Sequence, residues 1–90
     1  MRWTIDFARS AEKDLRRISK PDRGSIIRFL QDGLAASDNP REAGVAMVGS
    51  AFRGYTRYRV GDYRIIAKVE DATVTIFIVR IGHRREVYRP

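Results

Sequence analysis

Three arginines lie around a tight turn in the last third of the sequence. Arg57 and Arg59 precede the dipeptide Gly61-Asp62, and Arg64 follows it. A two-residue turn between two alternating runs predicts a β-hairpin in which Arg59 lies directly opposite Arg64. Arg57 shares their face, because successive side chains of a strand alternate between faces. Like charges opposite one another are destabilising, so the pattern favours binding of an anion, with phosphate as the leading candidate.

A second group of candidate residues follows the most apolar segment of the chain. It contains the one histidine, His83, with Arg84 beside it and Tyr88 further on. An imidazole with an ordinary pKa of about 6.5 can give or take a proton near neutral pH. A phenol can do so where neighbouring cations lower its pKa. Cations, one imidazole and one phenol together indicate chemistry on a phosphodiester.

Such chemistry suits RNA, in which the 2′-hydroxyl already lies close to the phosphorus and can attack it without a metal ion. The protein must orient the ribose, neutralise charge on the phosphate and move protons. The candidate catalytic residues for such chemistry are Arg57, Arg64, His83, Arg84 and Tyr88. Flanking residues predicted to bind RNA or phosphate are Arg59, Lys68, Arg85 and Tyr55.

Composition and net charge limit the classes of partner and cofactor that we expect. The 90 residues predict a single domain, 1–90, and carry a net charge of +7 from 15 arginines, 3 lysines and 11 acidic residues. This balance favours nucleic acid or an acidic protein as partner, although a merely solvated basic surface is an alternative. The chain has no cysteine and only one histidine, so we expect neither a metal ion nor a cofactor. We find no signal peptide or membrane span and expect a cytoplasmic protein.

The predicted elements place these residues on an α+β fold. A strand over residues 2–6 is followed by helices over 8–19 and 20–36, a loop over 37–45 and a short strand over 46–48. Further strands are predicted over 54–60, 63–69 and 73–81. We expect the N-terminal strand and the helical hairpin to pack on an antiparallel sheet of about four strands. The helices would cover one face, and the arginines would line a groove on the other.

Two segments resemble the RelE/ParE toxin superfamily of type II toxin–antitoxin pairs. They are residues 58–66, YRVGDYRII, and residues 79–88, VRIGHRREVY. The resemblance extends over nearly the whole chain and implies the RelE-like microbial ribonuclease-type fold. In the RelE-like branch it implies a toxin that cuts mRNA in the ribosomal A site, inhibits translation and is neutralised by a cognate antitoxin, RelB-like or of another class.

The same resemblance implies roles for individual positions. Arg57 matches the basic position of the third strand, Arg64 the hairpin arginine, Arg84 the arginine after the last strand, and Tyr88 the tyrosine of the tail. His83 stands where related members carry histidine or lysine. Some members place two lysines on the third strand, where this chain has Tyr55, Arg57 and Arg59. The identity of the general base therefore stays open. His83 or Tyr88 is one option, and catalysis by charge and positioning that the ribosome completes is the other.

Two alternatives to the nuclease remain. The ParE-like branch shares the fold but acts on DNA gyrase, and it has a similar His-Arg-Arg stretch. The ending Val87-Tyr88 favours the nuclease. A basic module that docks an acidic or amphipathic partner, without catalysis, is the third hypothesis.

Overall fold

The computed structural model describes residues 2–49 and 51–83, which form a five-stranded mixed sheet with two helices packed on one face. The strand order is β1-β5-β4-β3-β2, with β1 parallel to β5 and the other pairs antiparallel. In chain order the elements are β1 (Thr4–Phe7), α1 (Arg9–Arg16), α2 (Lys20–Arg28), β2 (Val45–Ala46), β3 (Thr56–Val60), β4 (Tyr63–Glu70) and β5 (Thr75–His83).

The predicted α+β fold is confirmed, with one correction to the sheet. About four antiparallel strands were expected, whereas the sheet has five strands and one parallel pair. After β1 the chain leaves the sheet through both helices and re-enters it at the opposite edge. The last strand, β5, then returns to lie beside β1 in the same direction. Alternation of side chains does not depend on strand direction, so the sequence pattern does not distinguish a parallel edge from an antiparallel one.

The helices follow their apolar stripes. Ala11 of α1 and Ile18 behind it are buried, while α2 begins with Pro21 and Asp22 in its first turn. Proline lacks only a backbone donor that is unpaired in a first turn, and an aspartate there complements the positive end of the helix. α2 continues directly into a π-helical segment, Phe29–Leu34, so the predicted helix over 20–36 contains a change of pitch. No helix among the described residues is long and apolar enough to span a bilayer.

The core lies between the helices and one face of the sheet. Its sheet side consists of alternate residues of three strands, among them Tyr58, Ile65, Ile76 and Ile78, all at most 1% exposed. The ring of Tyr58 packs against Phe29, with centroids 5.9 Å apart. This arrangement directs the intervening residues of β3 and β4 to the other face, which the helices leave uncovered.

The chain between the helices and β3 packs against the edge of the sheet at which β2 and β3 lie. Its 3₁₀ turn, Pro40–Ala43, is fixed by the buried Tyr58 hydroxyl, which donates to the Pro40 carbonyl at 2.8 Å. Arg41 binds both carboxylate oxygens of Asp71, at 2.7 and 3.1 Å, and the Val69 carbonyl at 3.0 Å. The hydrogen bond from Arg41 lowers the pKa of the Asp71 carboxyl. These bonds hold the segment that follows, residues 43–45, against β3.

Gly44 makes this close approach possible and provides a test of it. A Cβ atom there would lie 2.6 Å from Thr56 Cγ2, 2.7 Å from the Arg57 carbonyl oxygen and 2.8 Å from Tyr58 Cε1. Gly44→Ala should therefore lower the free energy of unfolding by about 1–3 kcal/mol, as measured by urea denaturation, because all three atoms belong to β3 and Tyr58 is part of the core.

Gly24 of α2 is the matched control. A Cβ atom there would meet only Arg28 Nη1 at 3.5 Å, the end of a flexible side chain. Gly24→Ala should raise the free energy of unfolding by about 0.5–1 kcal/mol, because alanine is the better helix former. Equal effects of the two substitutions would contradict the packing described for residues 43–45.

Candidate nucleic-acid interface

The three hairpin arginines line one cavity on the face of the sheet away from the helices. Arg59 pairs with Arg64 across β3 and β4, and Arg57 pairs with Ile66. Gly61 has a φ of 59°, which suits a two-residue turn with glycine at its first central position. The cavity has a volume of about 210 Å³, and residues 43–45 form its other wall. Local turn chemistry thus sets the register that brings the three guanidinium groups together.

Arg64 occupies the centre of this face. Its neighbour on β3 is Arg59 and its neighbour on β5 is Gly82, which has no side chain to cover it. Its Nη1 atom is buried and has no hydrogen-bond partner among the described residues. A buried unpaired donor costs about 1–3 kcal/mol, and more when it is charged. Within residues 2–49 and 51–83, Arg64 therefore keeps a buried cationic donor that has no acceptor.

Neither Arg59 nor Arg64 forms an ion pair with a carboxylate within residues 2–49 and 51–83. Arg59 is exposed, and its only described hydrogen bond is from Nε to the Gly61 carbonyl at 3.3 Å. Arg57 is half-buried beside them. The charges of the central pair are thus not neutralised within the described chain, and phosphate is the ligand whose charge and bidentate geometry suit them.

Two further predicted contacts lie toward the ends of this face. Tyr55 comes just before β3 and packs edge-on against Phe52, with ring centroids 6.1 Å apart at 83°. Lys68 is exposed and pairs with Phe77. Both share the alternation of the arginines, but neither lines the cavity that contains Arg64. Their predicted contacts with RNA remain predictions.

His83 lies in a different cavity. It pairs with Tyr63, and the two rings meet edge to face with centroids 6.1 Å apart at 79°. Unbroken alternation along β5 would put His83 on the arginine face, but a register shift in the strand puts it on the face of the helices. Its cavity, also about 210 Å³, is lined by Asp14, Arg17, Ile18, Tyr63, Arg80, Ile81, Gly82 and His83.

The remaining candidates, Arg84, Arg85 and Tyr88, lie outside the described residues. Sequence reasoning missed two parts of the site, which are the wall formed by residues 43–45 and the carboxylate of Asp14 near His83. A proline and a glycine in the predicted loop were the only local signal for the wall. No local signal marks Asp14, because its partners are more than sixty residues away.

The tyrosines of the core are poor bases. Burial raises the pKa of Tyr58 to about 12. Burial also raises the pKa of Tyr63, and the carboxylate of Asp22 raises it further. Both phenols therefore stay protonated at neutral pH. The described residues also contain no group of three or more His, Cys, Asp or Glu side chains able to hold a metal ion.

Comparison with known proteins shows which family and which folds the chain is similar to. The model of the family described as "ParE toxin of type II toxin-antitoxin system, parDE" matches residues 5–88. Toxin RelG of Mycobacterium tuberculosis is 29% identical over 93 residues, which cover 99% of each chain. The RelBE2 toxin–antitoxin complex of the same organism matches with a TM-score of 0.82 and 23% identity, over 96% of this chain and 95% of that one. The archaeal RelE–RelB complex of Pyrococcus horikoshii matches with a TM-score of 0.74 and 25% identity, over 97% and 100%.

The buried Nη1 of Arg64, which has no hydrogen-bond partner among the described residues, predicts that Arg64 lowers the stability of the free protein. Arg64→Met removes the buried donor and the repulsion from Arg59 while keeping a long, flexible side chain. The free energy of unfolding of the free protein should rise by about 0.5–2 kcal/mol, as measured by urea denaturation. Arg16→Met, at an exposed position of α1, should change it by less than about 0.5 kcal/mol. A clear loss of stability in Arg64→Met alone would show that Arg64 is already satisfied.

The raised pKa of Tyr58 predicts a dependence of stability on alkaline pH. Its ordinary pKa of 10.0 becomes about 12 in the folded chain, so folding favours the protonated phenol. Its contribution is fully present below about pH 10 and is lost as the pH rises towards 12. Urea denaturation between about pH 9 and about pH 11.5 should show this loss in the wild type and a shallower one in Tyr58→Phe. Parallel profiles would contradict the assignment to Tyr58.

Proposed function

This chain belongs to the ParE toxin family of type II toxin–antitoxin systems, and we propose that within this family it is a ribosome-dependent endoribonuclease that cuts mRNA. The observation that carries the proposal is Arg64, which lines a cavity with two further arginines and whose buried Nη1 has no hydrogen-bond partner among the described residues. A gyrase inhibitor that acts by protein contact has no evident need for three arginines around one cavity. Similarity to RelG and to RelE-type toxins also favours the nuclease.

The proposed reaction is attack of a 2′-hydroxyl on the adjacent phosphorus, with departure of the 5′-oxygen of the next nucleotide. Arg64 and Arg59 bind the non-bridging oxygens and neutralise the charge that develops on them. Arg57 extends the contact along the phosphate backbone of the RNA. The arginines themselves are too weakly acidic to exchange protons. The 2′-hydroxyl proton therefore passes to another group, and the departing 5′-oxygen receives a proton to become a hydroxyl, leaving a 2′,3′-cyclic phosphate. His83 and Tyr88 are the candidates for these two transfers, together with groups supplied by the ribosome.

We further propose that a cognate antitoxin silences the toxin, as in the RelE–RelB complex of Pyrococcus horikoshii. A RelB-like chain is the first candidate for this partner. A segment carrying carboxylates could satisfy Arg59 and Arg64 in place of RNA. A protein that acts on ribosomes would work in the cytoplasm.

The proposal predicts growth arrest with cut messages. Expression of the wild type alone should stop growth and leave new RNA ends within translated messages, as mapped by sequencing of RNA ends. Arg64→Ala should reduce cleavage by about 10²–10³-fold, because it removes the central donor to the phosphate. Arg16→Ala, an equal loss of charge on α1, should cleave like the wild type.

Inhibition of gyrase is the second candidate, favoured by the description of the matching family. Growth arrest with intact messages, together with inhibition of DNA supercoiling by the purified protein, would replace the nuclease by this activity. A wild-type protein that is harmless when expressed alone would contradict both.

A further inference from the structure

One extra residue interrupts the regular pairing of β5 with β4. Ala67 pairs with Ile78, but the next residue back along β4, Ile66, pairs with Arg80. Val79 is therefore left without a partner residue on β4, which defines a β-bulge. A bulge of this kind changes which face each following side chain occupies.

The bulge decides what lies beside the arginines. Continued regular pairing would put Ile81 opposite Arg64 and Arg80 opposite the buried Ile65. With the bulge, Ile81 faces the core and is 2% exposed, while Gly82 lies opposite Arg64. A shift of one residue moves a whole set of side chains to the other face, so loss of the bulge would cover Arg64 with an isoleucine.

Helix α1 holds the outer side of this bulge. β1 pairs with β5 only as far as Ile78, and the next described bond on this side is from the Ala8 amide to the Ile78 carbonyl at 2.8 Å. Beyond it, Ser10 Oγ donates to the Val79 carbonyl at 2.6 Å. Asp14 Oδ2 accepts the Ile81 amide at 2.9 Å. Two side chains of one helix thus replace the strand partner that β5 lacks.

Asp14 also binds the side chain of the residue between these two points. Its Oδ2 atom accepts from Arg80 Nε at 2.9 Å, and its side chain is only 13% exposed. The carboxylate therefore makes a backbone bond and an ion pair at the same oxygen. The pair holds Arg80 on α1 and neutralises it, so that it is not one of the cations available to a phosphate.

We propose that Asp14, supported by Ser10, is a positioning residue that fixes the bulge and so keeps Gly82 beside Arg64 and His83 across from Tyr63. The consequence for catalysis rests on the proposed nuclease function. Asp14 lies outside the arginine cavity and need not touch RNA. It acts through the register of residues 79–83. Its loss should disturb the geometry of the site more than the binding of the substrate.

The test compares Asp14→Ala, Asp14→Asn and Ser10→Ala with Glu12→Ala in the full chain. Glu12 is an exposed carboxylate on the same helix, so Glu12→Ala removes an equal charge without touching β5. Nuclear Overhauser contacts between Ile65 and Ile81 report the register directly, and amide hydrogen exchange reports the bond from the Ile81 amide to Asp14. Exchange of the Ile81 amide should accelerate about tenfold in Asp14→Ala and less in Asp14→Asn, whose amide oxygen can still accept that bond.

Cleavage of ribosome-bound mRNA gives the second readout. For Asp14→Ala, kcat should fall about 10–100-fold while KM stays within about twofold, because misplacement of reacting groups costs rate rather than binding. Asp14→Asn should recover part of kcat, and Glu12→Ala should match the wild type. If Asp14→Ala does not fold, Asp14→Asn and Ser10→Ala are compared with Glu12→Ala in its place.

The outcomes separate the two proposals. A wild type that does not cut mRNA, with the Ile65–Ile81 contacts still dependent on Asp14, would overturn the nuclease and leave the positioning of the bulge intact. Unchanged Ile81 exchange and unchanged Ile65–Ile81 contacts in Asp14→Ala would overturn the positioning role. An equal fall of kcat in Glu12→Ala would overturn it too, because the effect would then be one of charge.

Discussion

The structure depends on one unfavourable arrangement, in which two arginines, Arg59 and Arg64, lie directly opposite each other across a hairpin. Neither is neutralised by a carboxylate among the described residues, and one nitrogen of Arg64 is buried without a partner. Such an arrangement opposes folding, so a sequence selected for stability alone would not keep it. It becomes favourable when an anion with several oxygens enters the cavity. Phosphodiesters of RNA meet that condition, as would an acidic segment of an antitoxin.

The surrounding elements keep this pair accessible and correctly oriented. The helices and the core take one face of the sheet, and the other face carries the three arginines together with the buried Ile66. Gly44 lets residues 43–45 approach β3 closely enough to form a wall of the cavity, and Tyr58 and Arg41 tie the preceding turn to the sheet. The bulge at Val79, held by α1, leaves glycine instead of isoleucine beside Arg64. Each feature is a long-range contact that serves a locally unstable site.

The sequence predicts those features that depend on residues close together in the chain, and it does not predict those that depend on distant residues. Turn residues and alternation were sufficient for the hairpin and for the shared face of Arg57, Arg59 and Arg64, since both signals lie within ten residues. They were insufficient for the parallel pairing of β1, which depends on the path of the chain. They also missed the bulge, because one extra residue does not change the sequence pattern of a continuously apolar strand. The face occupied by His83 depends on that bulge, so the sequence alone does not predict it.

The central claim is that Arg59 and Arg64 bind the RNA backbone, and the guanidinium nitrogens of these residues can be observed directly. NMR of the arginine side chains during titration with a 2′-O-methyl RNA, which cannot be cleaved, gives the most direct test. The account predicts that the Arg59 and Arg64 signals shift together and that their protons become protected from exchange, while Arg16 on α1 stays unchanged. Binding of the RNA with no change at Arg59 and Arg64 would contradict it.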